Sequence, residues 1–216
     1  MPTIDEIAEI VHRDFEVRTK EREGALSVAR RLTRTCADAI RAVHRGENAL
    51  AEAKLAQAKQ MADSMRSELL PSFAELYYAG YTQDALKEFA EASAVYALIN
   101  FGELPSPEEL GIPVSAYIRG LAEAIGELRR KILDLLRHGH SPEVERLLAD
   151  MDEIYSLLVT VDYPDAVTMG LRRLTDIARS LLERTRGDVT LSLRQERLEN
   201  ALREVEARVK LSPHDC

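Results

Sequence analysis

Residues Asp84–Gly102, DALKEFAEASAVYALINFG, hold Glu88 and Glu91 one helical turn apart, and after Glu91 no charge occurs until Glu103. At about 100° per residue, Asp84, Glu88, Glu91 and Val95 share one stripe, while Leu86, Phe89, Tyr96 and Ala97 cover the opposite side. Leu98 and Ile99 widen the apolar surface until the C-terminal half is apolar nearly all round. Such a helix is buried on most sides. Glu91 therefore falls at the edge of a buried region, where a carboxylate needs a partner, a proton or a cation. Two readings stay open: the acids face water before the helix enters the core, or a cation meets them inside.

The rest of the chain uses the same helical vocabulary. Ala, Leu, Glu and Arg dominate, and the 10 Gly and 8 Pro of the 216 residues fall at a few punctuation points. This predicts an all-α protein with one domain spanning 1–216. Helical periods cover 3–45, as one long helix or two collinear ones around Gly24, then 48–69, 71–79, 83–101 with Thr82 as cap, and a capped turn at 106–111. Further periods run over 113–138, 142–161, 164–186 and 188–210, with Gly187 as a break between the last two. Six or seven substantial helices on short loops imply an antiparallel helical bundle. Helices this long in a chain this short imply faces buried against sister subunits. Ile4, Ile7, Ile10, Val11 and Phe15 form the apolar stripe of the first helix.

Several classes of function are disfavoured. Cys36 and Cys216 make no disulfide framework: Cys36 reads as a small core residue and Cys216 as a frayed end. The N-terminal MPTIDEIAEIVHRDFE has acids where a secretory leader would be basic, and no apolar run reaches the roughly 20 residues of a membrane span. A cytoplasmic location without membrane attachment is expected. No G-x-x-x-x-G-K-[ST], G-x-G-x-x-G or C-x-x-C occurs, and no Ser–His–Asp set can be placed, since every histidine reads as polar or terminal.

A second acid pair lies in YIRGLAEAIGELRRK, where Glu123 and Glu127 stand at i, i+4 on one face with Arg119, Arg130 and Asp134. Ile118, Leu121, Ile125, Leu128 and Ile132 form the opposite face. This could be a solvated charged surface. Yet Gly120 and Gly126 flank the acids, each costing about 1 kcal/mol relative to alanine, which suggests a close approach to the backbone. If the two acid faces pack together, Glu88, Glu91, Glu123 and Glu127 converge as a hard, all-oxygen donor set. Such a set suits Mg²⁺ or Mn²⁺ and metal-assisted phosphodiester hydrolysis. A di-iron carboxylate bundle would need two Glu-x-x-His repeats, and only Glu9–His12 is present.

The net charge of −8 hides a basic segment. Between Gly24 and Gly46 five arginines face one acid, Asp38, and Arg30, Arg34, Arg41 and Arg45 fall within about 60° at helical period. Guanidinium stripes suit phosphate backbones, and the lack of interleaved aromatics argues against base stacking. Pairing with acids of a neighbouring helix or subunit is the alternative.

With these residues in place, the chain resembles the translin family in its prokaryotic, translin-associated-factor-X-like form. The resemblance rests on DALKEFAEASAVYALI, YIRGLAEAIGELRR and the block from Asp162 to Leu202 that opens DYPDAVTMGLRR. It implies about seven helices, assembly into a hollow homo-octameric barrel, and a metal-dependent endoribonuclease acting on RNA held inside. The family's four acidic ligands match Glu88, Glu91, Glu123 and Glu127 as metal-binding and catalytic residues. The third place, typically aspartate, is here Glu123. Translin proper lacks the acid set and binds nucleic acid without cutting, so a non-catalytic RNA- or single-stranded-DNA-binding scaffold is the alternative.

Overall fold

The computed structural model describes residues 1–211, and the expectation for Cys216 lies outside them. Nine helices and no strand occur among the described residues. They are α1 (Ile4–His44), α2 (Asn48–Leu69), α3 (Ala74–Tyr77), α4 (Gly80–Ile99), α5 (Pro107–Leu110), α6 (Val114–Leu136), α7 (Pro142–Thr160), α8 (Asp165–Thr168) and α9 (Leu171–Leu211). None of the described helices is long and apolar enough to cross a membrane.

Local chemistry explains most boundaries. Thr3 accepts from the Glu6 amide while the Glu6 carboxylate accepts from the Thr3 amide, a capping box that starts α1. Ser106 and Glu109 repeat the device at α5, which Gly111 ends in the left-handed region. Thr82 does not cap: α4 begins two residues earlier, and the Thr82 hydroxyl donates to the Leu76 carbonyl at 2.8 Å from inside the helix. Gln83 likewise donates to the Tyr77 carbonyl at 2.9 Å. Both side chains are buried and tie α3 to α4.

The C-terminal third differs from the sequence reading. The break lies at Met169 and Gly170, both at positive φ, which separate the single turn of α8 from α9. Gly187 leaves α9 unbroken. One exposed glycine costs a helix about 1 kcal/mol, too little to stop a segment that packs on α6 and α7 through Ala178, Leu182 and Val189.

Helix α4 is the hub. It packs against α1 on one side and α6 on the other, with α2 and α7 at its margins, while α6 in turn carries α7 and α9. This explains why α4 is apolar nearly all round: Leu86, Phe89, Ala90, Val95 and Ile99 are all buried. Its closest neighbour is α6, and the closeness depends on Gly120. A Cβ there would lie 2.6 Å from Ala90 Cβ, 2.7 Å from the Lys87 carbonyl oxygen and 2.8 Å from the Glu91 amide nitrogen. What approaches the Gly120 backbone is thus α4 itself. Gly126 has no such role, since a Cβ would meet only Leu181 at an ordinary 3.9 Å.

The two 41-residue helices outrun the bundle. Ile4, Ile7, Ile10, Val11 and Phe15 are exposed along the free half of α1, and Leu191, Leu198, Leu202 and Val205 along the free end of α9.

Two glycine substitutions should separate these roles. Gly120→Ala forces apart two helix backbones and should lower stability by about 1–3 kcal/mol. Gly187→Ala meets nothing within 4 Å and should raise it by about 0.5–1 kcal/mol. Urea midpoints of the two variants against wild type give the comparison.

Candidate metal centre

The pinch at Gly120 sets the register in which α4 and α6 present their acids. On one side of it, Arg119 is buried and its Nη2 donates to Asp84 Oδ1 at 2.7 Å, pinning the start of α4 to α6. On the other side, Glu88 and Glu91 of α4 meet Glu123 of α6, with one carboxylate oxygen from each within 4.8 Å of the others. Oxygens from separate helices converge here because both helices carry their acids on the faces they turn toward each other.

The charges are unequal in their surroundings. Glu91 lies deepest, and burial together with the charges of Glu88 and Glu123 pushes its carboxyl up to about 8. Lys87 reaches across from α4: its ammonium lies 3.0 Å from Glu88 Oε1 and also bonds Glu123 Oε2. Burial alone would lower the Lys87 pKa, but the bonds to Glu123 and Glu88 raise it above its ordinary value, so the ammonium stays charged. Behind the acids, Cys36 is fully buried. Burial and the nearby Glu88 and Glu91 push its thiol far up, which makes it inert as a nucleophile.

Glu127 lies one turn farther along α6 and is held differently. His44, in the last turn of α1, donates from Nε2 to Glu127 Oε2 at 2.6 Å, and Arg130 Nη1 lies 3.5 Å from the same oxygen. The His44 bond holds the Glu127 carboxyl below its ordinary range despite burial. The His44 side chain is only 5% exposed, and its Nδ1 has no hydrogen-bond partner. The structure therefore gathers Glu88, Glu91 and Glu123 as one group and sets Glu127 beside them on a histidine from a third helix.

The sequence reading missed His44 and Lys87. His44 looked terminal because Gly46 follows, yet Cys36, Ile40 and His44 recur every four residues on the core side of α1. Lys87 looked like an ordinary neighbour of Glu88, yet it is the one base in all of α4. Both signals are faint because a single polar residue on an apolar period is common.

The arginines take another surface. Arg30, Arg34 and Arg41 on α1 and Arg45 at its C-cap are all exposed. Arg41 pairs with Asp38 of its own helix, while Arg30, Arg34 and Arg45 have no salt-bridge partner among the described residues. Arg31 and Arg34 line an open groove of about 580 Å³ between α1 and α2, with Asp38, Lys54 and Gln57 on its walls. The α2 side of that groove thus supplies one further cation and polar amides.

The buried acid gives the cation-free protein a pH dependence of known sign. Glu91 binds its proton more tightly folded than at its ordinary value of 4.5. The stabilisation linked to that proton is complete below about pH 4.5 and is lost as pH rises through about 8. With divalent ions removed, thermal midpoints should fall between pH 5 and pH 8.5, and Glu91→Gln should flatten that fall. An equal slope in the variant would assign the effect elsewhere.

Comparison with known proteins places this fold. No family model matches the chain. An uncharacterized protein of Methanocaldococcus jannaschii is 35% identical over 187 residues, covering 86% of this chain and 82% of the relative. Among solved structures, the crystal structure of AfC3PO superposes with a TM-score of 0.77 at 29% identity, over 86% of this chain and 96% of that one. An AfC3PO–duplex RNA complex gives 0.75 at 29% identity, over 86% and 95%. Apo-NeC3PO, at 20% identity, shares the fold with a TM-score of 0.76 over 89% and 98%. With the helix order and these solved structures in agreement over most of the chain, the chain belongs to the translin family.

Proposed function

We propose that this protein is a Mg²⁺- or Mn²⁺-dependent endoribonuclease of the catalytic, translin-associated-factor-X-like branch. The observation that carries the proposal is the meeting of Glu88, Glu91 and Glu123 within 4.8 Å. An all-oxygen donor set suits a hard divalent ion, and the Lys87 ammonium drawn between Glu88 and Glu123 supports a local field that favours positive charge. When bound, such an ion supplies Lewis acidity toward a phosphodiester.

The chain's own residues do the rest. Glu88, Glu91 and Glu123 hold the ion, and Glu127 completes the set on the side oriented by His44. Glu127, kept ionised by His44, is the carboxylate best placed to accept a proton from an attacking water. The exposed arginines Arg30, Arg34, Arg41 and Arg45 grip the RNA backbone without reading sequence. Duplex RNA is the first substrate to test, since AfC3PO has been solved in complex with it.

The exposed apolar stripes on the free ends of α1 and α9 are the faces for assembly into a homo-octameric barrel enclosing the RNA, a cytoplasmic particle built from one single-domain chain. The second reading is a non-catalytic RNA- or single-stranded-DNA-binding scaffold. One observation favours it: Lys87 already neutralises part of the acid cluster.

Incubation with duplex and single-stranded RNA separates the two readings. Cutting should require Mg²⁺ or Mn²⁺, stop with EDTA, and fall at least about 10²-fold in Glu91→Gln and Glu127→Ala. RNA left intact under every condition selects the scaffold, and cutting that survives both EDTA and the substitutions belongs to a contaminant. For the arginines, Arg34→Ala should lower the slope of log affinity against log salt by about one unit or less with sequence preference unchanged. An unaltered slope removes Arg34 from the RNA surface.

A further inference from the structure

Lys87 has a place in the site that the four-carboxylate reading does not explain. Its side chain is 12% exposed, and its ammonium bonds one oxygen of Glu88 and one of Glu123. Those two residues come from different helices, so the ammonium lies where the carboxylates converge. The Lys87 carbonyl also forms part of the Gly120 pinch, which fixes the backbone from which the side chain springs. The position is therefore set by helix packing, while the four-carbon stem leaves the ammonium free to swing.

A divalent ion shared by Glu88, Glu91 and Glu123 draws on two of the carboxylates that Lys87 bonds. It would lie within a few ångströms of Nζ, where two positive charges in a partly buried site repel strongly. We propose that Lys87 is the resident counter-ion of the centre, and that a divalent cation binds by displacing the Lys87 ammonium from Glu88 and Glu123. This rests on the metal reading above. In the cation-free protein the ammonium offsets the mutual repulsion of the acids and keeps α4 and α6 docked. On metal entry it is released but stays tethered within one side-chain length. There it meets an incoming phosphate oxygen as a point-charge donor.

The exchange is tested by titrating metal-free protein with Mn²⁺ in the absence of RNA and reading free Mn²⁺ by electron paramagnetic resonance. Wild type, Lys87→Met, Lys87→Arg and Glu91→Gln are compared. Lys87→Met keeps the apolar stem and removes the competitor, so it should bind Mn²⁺ on the order of tenfold more tightly while melting at a lower temperature without metal. Lys87→Arg keeps the charge and should stay near wild type, which separates charge from packing. Glu91→Gln should bind at least about tenfold more weakly. Affinity unchanged or weakened in Lys87→Met, with Glu91→Gln impaired, overturns the displacement and leaves the metal centre standing. Equal affinity in wild type and Glu91→Gln removes the metal centre and the displacement with it. A Mn²⁺-soaked crystal gives a readout independent of any variant. Lys87 Nζ turned away from both carboxylates supports the exchange, and Nζ still bonded to both beside the bound ion overturns it.

Discussion

The approach of α4 to α6 at Gly120 is the constraint on which the rest depends. A side chain of any size at that position would strike backbone atoms of Lys87 and Glu91, so the interhelical distance is set by the absence of a Cβ. Everything chemical follows from that spacing. The acids of α4 and α6 lie on the faces the two helices turn toward each other, so a short interhelical distance brings Glu88, Glu91 and Glu123 together. Brought close, they create an electrostatic problem that the fold must answer with cations or protons.

The structure gives three answers, each at a different depth. Arg119 meets Asp84 beyond the pinch and acts as a fixed structural pair. Lys87 meets Glu88 and Glu123 in the middle, on a flexible stem. Glu91, deepest of all, holds a proton up to about pH 8. A site organised this way has only replaceable positive charges at its centre, an ammonium and a proton. At the rim, His44 and Arg130 hold Glu127 ionised. Neighbouring carboxylates thus have pKa values pushed in opposite directions, the usual condition for dividing acid–base roles within one site.

The protomer also leaves large surfaces uncovered. The apolar stripe on the free half of α1 is exposed among the described residues, as are Leu191, Leu198, Leu202 and Val205 of α9. Isolated helices of that kind gain little stability from propensity alone, and these apolar faces are the ones the proposed assembly would bury. The arginine stripe belongs to the part of α1 that is docked on the bundle, where Arg31 and Arg34 line the groove with α2. The surfaces proposed for assembly and for RNA phosphates are thereby separated along one continuous helix.

Much of this was legible in the residues. The 3.6-residue period, the capping box at Thr3–Glu6, the turn at Ser106–Gly111 and the apolar girdle of Asp84–Gly102 determine an all-α bundle, because local hydrogen bonding and burial depend on neighbours within one or two turns. The acid pairs were visible for the same reason. Gly187 misled because an exposed helical glycine carries only a small cost, and Met169–Gly170 escaped because a non-glycine residue at positive φ leaves no mark in the period. What only the tertiary structure decided is which charges meet. Glu123 with Lys87, Glu127 with His44 and Asp84 with Arg119 are separated by 36, 83 and 35 residues. Such pairings depend on interhelical distance and rotation, which no periodic pattern records, and between α4 and α6 the distance turns on the missing Cβ of Gly120.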